Sequence, residues 1–410
     1  VNHPFSDFEK ELEGMPAKTI LDDVLNSPSH RLHLGMLTDE ILQREFPELG
    51  ERTYLNTAAE GIPPRSFRDA LLRYADDKTN GMEGREALFA EFAACQESAG
   101  SLFGMSANEI SFCSSTSEAY NLLSTAIDFG NDGEAVISNL DFPSGATPWL
   151  ISPGKPRVRL WKHNRGVLEL EDLASLLNEK TRLVQLSLVS FLTGYRLPWA
   201  EVQSLVRERA PQAVLAADTT QAAGRVVLDC LDADCIFASS YKWLLGTHGS
   251  CVVITPDKAV HPVTARAGGW YNLANAFDED RFERVEPFKG AAGFATGMPA
   301  FPAIYALRTG IDLLCETGVA AIAEHADRLV ARVHEGLREL GFQTMSPAQP
   351  GNSSGIVSFQ TENDAELNTF LLERKIHVMH QAGRIRIAIH GYNRDHDIDN
   401  LLGALRDFRG

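Results

Sequence analysis

Cysteine is sparse in this 410-residue chain, and its spacing is not that of a reactive pair. Cys95, Cys113, Cys230, Cys235, Cys251 and Cys315 are scattered, and Cys230 and Cys235 lack the CxxC interval. A zinc or redox pair is thereby excluded, no metal is expected, and the thiols read as core residues of a reducing, cytoplasmic compartment. Positive charge is also short. Lys and Arg number 38 against 55 Asp and Glu, a net charge of -17, which argues against nucleic acid or an anionic membrane as the main partner. No apolar run reaches bilayer length. From Val1 no charged-then-apolar leader is visible, and the start without Met is what a trimmed terminus would show. No GxGxxG follows a strand and there is no P-loop, so dinucleotide and nucleoside-triphosphate sites lack their motifs. Internal repeats and low-complexity tracts are absent too. With 44% apolar residues, the chain can bury a large core divided between two lobes.

The residue around which the rest is organised is Lys242. Ala233-Asp234-Cys235-Ile236-Phe237-Ala238 reads as a buried strand that opens through Ser239-Ser240-Tyr241 onto that lysine. One strand earlier, Ala213-Val214-Leu215-Ala216-Ala217 ends in Asp218. Ligands of open α/β sheets sit at the carboxyl ends of strands, and consecutive parallel strands put Asp218 and Lys242 at the same edge. Singly, each is an ordinary turn or cap residue. Together they match the protein's share of pyridoxal phosphate (PLP) chemistry: a Schiff-base lysine and an acid for the pyridinium nitrogen.

Residues 1–36 read as an N-terminal arm with a capping box at Ser6-Asp7-Phe8-Glu9. Thr38 caps a helix that runs to Phe46. Tyr54-Leu55-Asn56 leads into a small-residue turn ending at Gly61. Ala87 to Phe103 is helical and Glu109 to Cys113 a strand. Ser114-Ser115-Thr116-Ser117 then opens a helix, either as a phosphate site or as plain N-capping. Strands follow at Ala135 to Ser138, Thr181 to Val189 and Ser250 to Ile254. This alternation argues a doubly wound, mostly parallel sheet over a large domain, residues 37–298.

Residues 299–410 read as a smaller α+β domain joined by part of the N-terminal segment. Ala303 to Cys315 and Ala320 to Leu340 are helical, and Gly355 to Phe359 and Arg384 to Ile389 are strands. Alternation puts Arg384, Arg386, Ala388 and His390 on one face and three isoleucines on the other. An arginine so placed can clamp a carboxylate through two parallel hydrogen bonds, unless it is an edge-strand charge. Trp270 and Tyr271 line either the substrate entrance or an interlobe surface. His248 and His390 are either second proton donors or structural histidines.

Six stretches in order resemble the class V aminotransferase family of fold type I PLP enzymes. They are Tyr54-Leu55-Asn56, Thr116-Ser117-Glu118-Ala119-Tyr120-Asn121, Asp218-Thr219-Thr220-Gln221-Ala222-Ala223-Gly224, Ser239-Ser240-Tyr241-Lys242-Trp243, Phe294-Ala295-Thr296-Gly297-Met298-Pro299 and Arg386-Ile387-Ala388-Ile389-His390-Gly391-Tyr392-Asn393. The resemblance spans about Thr38 to Arg409. It implies an α/β fold, with a mostly parallel seven-stranded sheet in the large domain. By resemblance Lys242 would hold PLP covalently, Asp218 would pair with the ring nitrogen, and Gln221 would meet the ring hydroxyl. Phe142 would stack on the ring. Ser115, Thr116, Ser117, Ser239 and Tyr241 would bind the phosphate, and Arg386, with Asn56 and Ser190, the substrate. Thr296-Gly297 would reach the partner subunit's phosphate site, which implies a homodimer with shared active sites.

Departures from the family narrow the activity. Phe142 stands where cysteine desulfurases carry a histidine, as in kynureninases, and Phe191 where they carry an asparagine. His380-Gln381-Ala382-Gly383 runs straight into the arginine strand, without the loop that bears a persulfide cysteine. A persulfide-forming desulfurase is therefore disfavoured. Met298 replaces the threonine of Gly-Thr-Pro, and Tyr241 replaces a histidine, as in isopenicillin N epimerase-like members. The resemblance thus implies chemistry at the α-carbon of an amino acid or amino-acid-derived metabolite. Lyase or epimerase action leads, with an aminotransferase or a kynureninase-like hydrolase behind. A non-catalytic PLP-fold binding protein is the remaining alternative, and the intact lysine, acid and arginine argue against it.

Overall fold

The computed structural model describes residues 37–151, 156–349 and 351–409. The expected arm over 1–36 and its capping box lie outside these. Thr38 accepts a hydrogen bond from the Ile41 amide and so caps α1 (Asp39–Glu45) as its sequence position predicts. The chain then follows β1 (Thr53–Tyr54), α2 (Ser66–Thr79), α3 (Arg85–Phe103), β2 (Ile110–Cys113), α4 (Thr116–Ala126), β3 (Glu134–Ser138) and α5 (Pro143–Ile151). Next come β4 (Arg157–Trp161), α6 (Leu170–Leu176), β5 (Thr181–Ser187), α7 (Trp199–Arg209), β6 (Val214–Asp218), β7 (Cys235–Ser239) and β8 (Cys251–Ile254).

These strands form a seven-stranded sheet of order β2-β8-β7-β6-β5-β3-β4. Only β8 runs against its neighbours, antiparallel to both β2 and β7. The strands are near-continuous apolar runs because helices cover both faces. On one face Val136, Val184, Leu215, Ala217 and Ile236 share a core with Leu88, Phe92 and Phe103 of α3. On the other, Ile137, Leu183, Ala216 and Phe237 pack against Ala119, Tyr120 and Leu123 of α4 and Trp149 of α5. The expected doubly wound α/β sheet is therefore present.

The C-terminal part comprises α8 (Phe301–Thr317), α9 (Val319–Glu339), β9 (Gln343–Thr344), β10 (Ile356–Gln360), α10 (Asp364–Glu373), β11 (Ile376–His377), β12 (Met379–Gln381), β13 (Arg384–Ala388) and α11 (Asp395–Arg409). A second sheet of order β12-β13-β10-β9 carries a separate core of Leu329, Val333, Phe359, Ile385, Ile387 and Leu401. β1 pairs in parallel with β11, and Leu55 enters this second core. By contrast α8 buries Ile304, Leu307, Ile311 and Leu314 in the large core. Its helical period marks an apolar face but not the partner of that face. Among the described residues no helix is long and apolar enough to cross a membrane.

Candidate active site

The lysine turn is held from both sides. Ser240 Oγ bonds the Ser250 carbonyl at 2.7 Å, and the Gly246 amide returns to the Ser240 carbonyl at 2.9 Å. Leu245 sits buried at φ 58°, a left-handed conformation costing a non-glycine residue about 1–2 kcal/mol, so packing must impose it. From the other side the Gly61 amide donates to the Tyr241 carbonyl at 2.8 Å. A Cβ on Gly61 would lie 2.0 Å from the Lys242 carbonyl oxygen. Gly61→Ala is therefore expected to push the turn aside, costing about 1–3 kcal/mol of stability. Turnover should fall with it. Melting and activity of that variant check this, and a wild-type turnover number would contradict it.

Lys242 is 6% exposed, its Nζ 5.1 Å from the Phe142 ring centroid and 5.4 Å from that of Tyr241. Burial lowers its amine to about 8 against the opposing pull of Asp218, and Arg386 adds to the lowering. Asp218 ends β6 as expected, one strand over, with Oδ1 accepting from the Thr220 amide at 2.9 Å. Burial pushes its carboxyl up, while Thr220, Lys242 and Tyr120 favour the charged form. Gln221 is fixed in orientation: Nε2 donates to the Ala58 carbonyl at 3.0 Å, and Oε1 accepts from Trp243 Nε1 at 2.7 Å. Its second Nε2 hydrogen remains for a ligand.

These groups line a cleft with Thr116, Ser239, Phe142, Val189 and Phe191. Thr116 Oγ1 and Ser239 Oγ lie 3.4 Å apart, where the first turn of α4 meets the end of β7. The Ser115 side chain caps α4 by accepting from the Glu118 amide at 3.2 Å, and its O–H is left to donate. Ser117 is exposed on the same turn. The leading amides of α4 have no acceptor within the helix and suit a phosphate.

Arg386 is buried on β13, with Nη1 donating to the Phe191 carbonyl at 2.8 Å. β13 is paired on both sides, so an edge-strand charge is excluded. Burial, with Arg384 beside it, lowers the guanidinium to about 10. Asn56 bridges to Ala388, and its Oδ1 is buried without a partner among the described residues. Ser190 departs from expectation. Its Oγ donates to the Leu140 carbonyl and accepts from the Leu192 and Thr193 amides, so the hydroxyl holds its own turn together. Thr296 is half-buried and its carbonyl accepts from the Tyr271 amide.

His390 is not a proton donor to this cleft. It is fully buried between Trp243 and Tyr392, Nε2 lies 3.1 Å from the Trp243 carbonyl, and burial lowers it to about 3. It is a neutral brace behind the lysine turn. His248 stacks on Tyr241 at 4.4 Å and meets Glu60 at 3.1 Å near the surface. Tyr271 stacks on Phe89, and neither it nor Trp270 lines the cleft. Asp141 is the residue that sequence reasoning missed. Its carboxylate accepts from the Ser187 and Ser138 amides at 2.6 and 2.7 Å, joining β3 to β5 directly behind Phe142. Burial pushes it up to about 7. Its only signal was a carboxylate between a strand end and the aromatic. No thiol lines the cleft: five cysteines are buried elsewhere, and Cys315 is exposed on α8.

The donor set fits PLP. An amine of lowered pKa, a buried carboxylate made costly by burial, an aromatic face and a hydroxyl-rich helix start converge on one cleft. Fold and site together define a PLP enzyme of fold type I. The chain belongs to the class V aminotransferase family, whose profile, Aminotransferase class-V, matches residues 53–401, and PLP is its cofactor. The uncharacterized aminotransferase YcbU of Bacillus subtilis (strain 168) is 25% identical, over 88% of this chain and 95% of the relative. A probable cysteine desulfurase of Pseudomonas aeruginosa is 29% identical over 70% of this chain and 73% of the relative. Among solved structures, the apo cysteine desulfurase of Thermococcus onnurineus NA1 superposes with a TM-score of 0.80 at 20% identity, covering 92% of this chain and 99% of that one. The cystine C–S lyase C-DES, in complex with its product cysteine persulfide, gives 0.79 at 21% identity, covering 88% and 99%.

Proposed function

We propose that this chain is a lyase acting at the α-carbon of an amino acid or amino-acid-derived metabolite, with loss of a substituent from the β-carbon. The observation that carries this reading is Lys242, which lines the cleft with its amine lowered by burial to about 8. PLP, when bound, supplies an electron sink for charge at the α-carbon. Lys242 Nζ takes the α-proton, since an amine lowered to about 8 is partly neutral at working pH. Asp218 would keep the ring nitrogen protonated, Phe142 would cover the ring and Gln221 Nε2 would donate to the ring hydroxyl. Ser115, Thr116, Ser117, Ser239 and Tyr241 would hold the phosphate. Arg386 would orient the α-carboxylate through its Nε, which has no partner among the described residues.

The absence of a thiol from the cleft lining favours direct elimination over sulfur transfer to the protein. Epimerisation would call for a second acid across the cleft, and the other lining groups are mostly hydroxyls and apolar side chains. A homodimer belongs to the same reading. Trp270, Phe277, Phe282, Val285 and Met298 are exposed on the segment that also carries Thr296, and a second copy would cover them.

Arg386→Gln is expected to raise KM for the amino acid by about 10- to 100-fold. The effect on kcat should be smaller, and steady-state kinetics check that split. The reaction itself is tested by incubating PLP-loaded protein with L-amino acids that carry β-leaving groups. A 2-oxo acid and ammonia formed catalytically, with the cofactor still in its aldehyde form, support the lyase. One equivalent of keto acid with the amine form of the cofactor would make it an aminotransferase. Accumulation of the D-isomer would make it an epimerase.

A further inference from the structure

Arg386 has a buried companion that the proposed chemistry does not use. Arg384 lies two residues earlier on β13, on the same face, and is 4% exposed. Its Nε and Nη2, like the Nε of Arg386, are buried and have no hydrogen-bond partner among the described residues. The contact of its Nη1 with the Gln381 carbonyl is long, at 3.4 Å. No ion pair to either arginine occurs among the described residues. Asp364, at the start of α10, is engaged by His380 of β12 at 2.7 Å. Buried guanidinium groups are ordinarily paired, because an uncompensated charge in a protein interior is strongly unfavourable. Here two stand side by side, and each burdens the other.

Their surroundings give them a direction. Arg386 Nη1 donates to the Phe191 carbonyl, and Arg384 Cζ lies 5.9 Å from the Phe191 ring centroid. Phe191 lines the cleft and meets Phe142 edge-on at 5.0 Å. Ser358 on β10, opposite Arg386, ties the Phe191 turn down through the Leu192 carbonyl at 2.8 Å. The two cations thus flank one aromatic residue of the cleft wall.

We propose that Arg384 binds a second carboxylate of the substrate, so that the enzyme takes an amino acid carrying a distal carboxylate, held at two points by Arg386 and Arg384. This rests on the assignment of Arg386 to the α-carboxylate. An acidic group at the far end of the substrate supplies the anion that the Arg384 fork lacks, and its bidentate geometry matches a carboxylate.

The test is binding of carboxylates that lack the amine and so cannot react. PLP-loaded protein is titrated calorimetrically with succinate and glutarate, and with butyrate and valerate as monocarboxylate controls. The dicarboxylates should bind wild type at least about tenfold more tightly. In Arg384→Gln that ratio should collapse to within about twofold, and Arg384→Lys should restore part of it. Melting at or above the wild-type temperature is expected for Arg384→Gln, because a buried unpaired charge is removed. Equal affinity for the two classes in wild type, or an unchanged ratio in both Arg384 variants, would overturn the proposal. The two readings fail separately. An unchanged ratio with amino-acid turnover intact overturns the second carboxylate site alone. Monocarboxylate affinity retained in Arg386→Gln overturns the α-carboxylate assignment.

Discussion

Lys242→Ala is expected to lower turnover at least about ten-thousand-fold while leaving the fold intact, because the residue is both the covalent anchor and the base. A second signature follows from its burial. The amine is lowered to about 8 from an ordinary 10.5. Between those values the unfolded chain binds more protons than the folded one, so stability of the cofactor-free protein rises with pH across that window. Below it, the charged amine burdens the folded state by on the order of 3 kcal/mol. Lys242→Met keeps the volume and removes the charge. In the cofactor-free form it should melt above wild type at neutral pH, with the gap closing as pH climbs toward the ordinary lysine value. A gap that stays constant with pH, or turnover within tenfold of wild type in Lys242→Ala, would contradict the account.

Asp218→Asn carries the other large effect. Without its charge the ring nitrogen loses the partner that keeps it protonated, and turnover should fall by about 100- to 1,000-fold. Stability should move the other way. Burial raises the Asp218 carboxyl, so the folded state holds a proton more readily than the unfolded one. The group's stabilising share is present at low pH and is lost as pH rises through its folded pKa. The neutral amide should therefore melt at or above wild type in cofactor-free protein at neutral pH. Activity lost while stability holds marks a group kept for chemistry. Turnover within a few-fold of wild type would remove Asp218 from the site.

The placement of Asp218 and Lys242 could be read from the chain because strand ends are local. An apolar run ending in a polar residue marks both the strand and the edge where ligands gather. The alternation in Arg384 to Ile389 was equally legible: Ile385 and Ile387 face the small core, and the arginines face away. What alternation cannot show is how many neighbours a strand has. That β13 is internal, and that Arg384 and Arg386 are buried without an anion among the described residues, depends on β10 and β12 from elsewhere in the chain.

The roles of Asp141, Ser190 and His390 could not be settled from the chain for the same reason. Asp141 looks like a turn residue until Ser187 arrives from β5 to donate to it. Ser190 looks free until its turn closes on its own hydroxyl. His390 looks like a candidate acid until Trp243 and Tyr392 enclose it. Tertiary contacts decide whether a polar side chain serves the backbone or the cleft. The reversed direction of β8 is also invisible in its apolar sequence, since either direction buries the same residues.

Reductive trapping tests the central assignment most directly. PLP-loaded protein is treated with borohydride, digested and mapped by mass spectrometry, with and without an amino acid that turns over. The account predicts a pyridoxyl-phosphate adduct on the peptide containing Lys242, and loss of that label when the amino acid is present at saturation. Label on any other lysine, or label on Lys242 that a turning-over amino acid does not diminish, would contradict it.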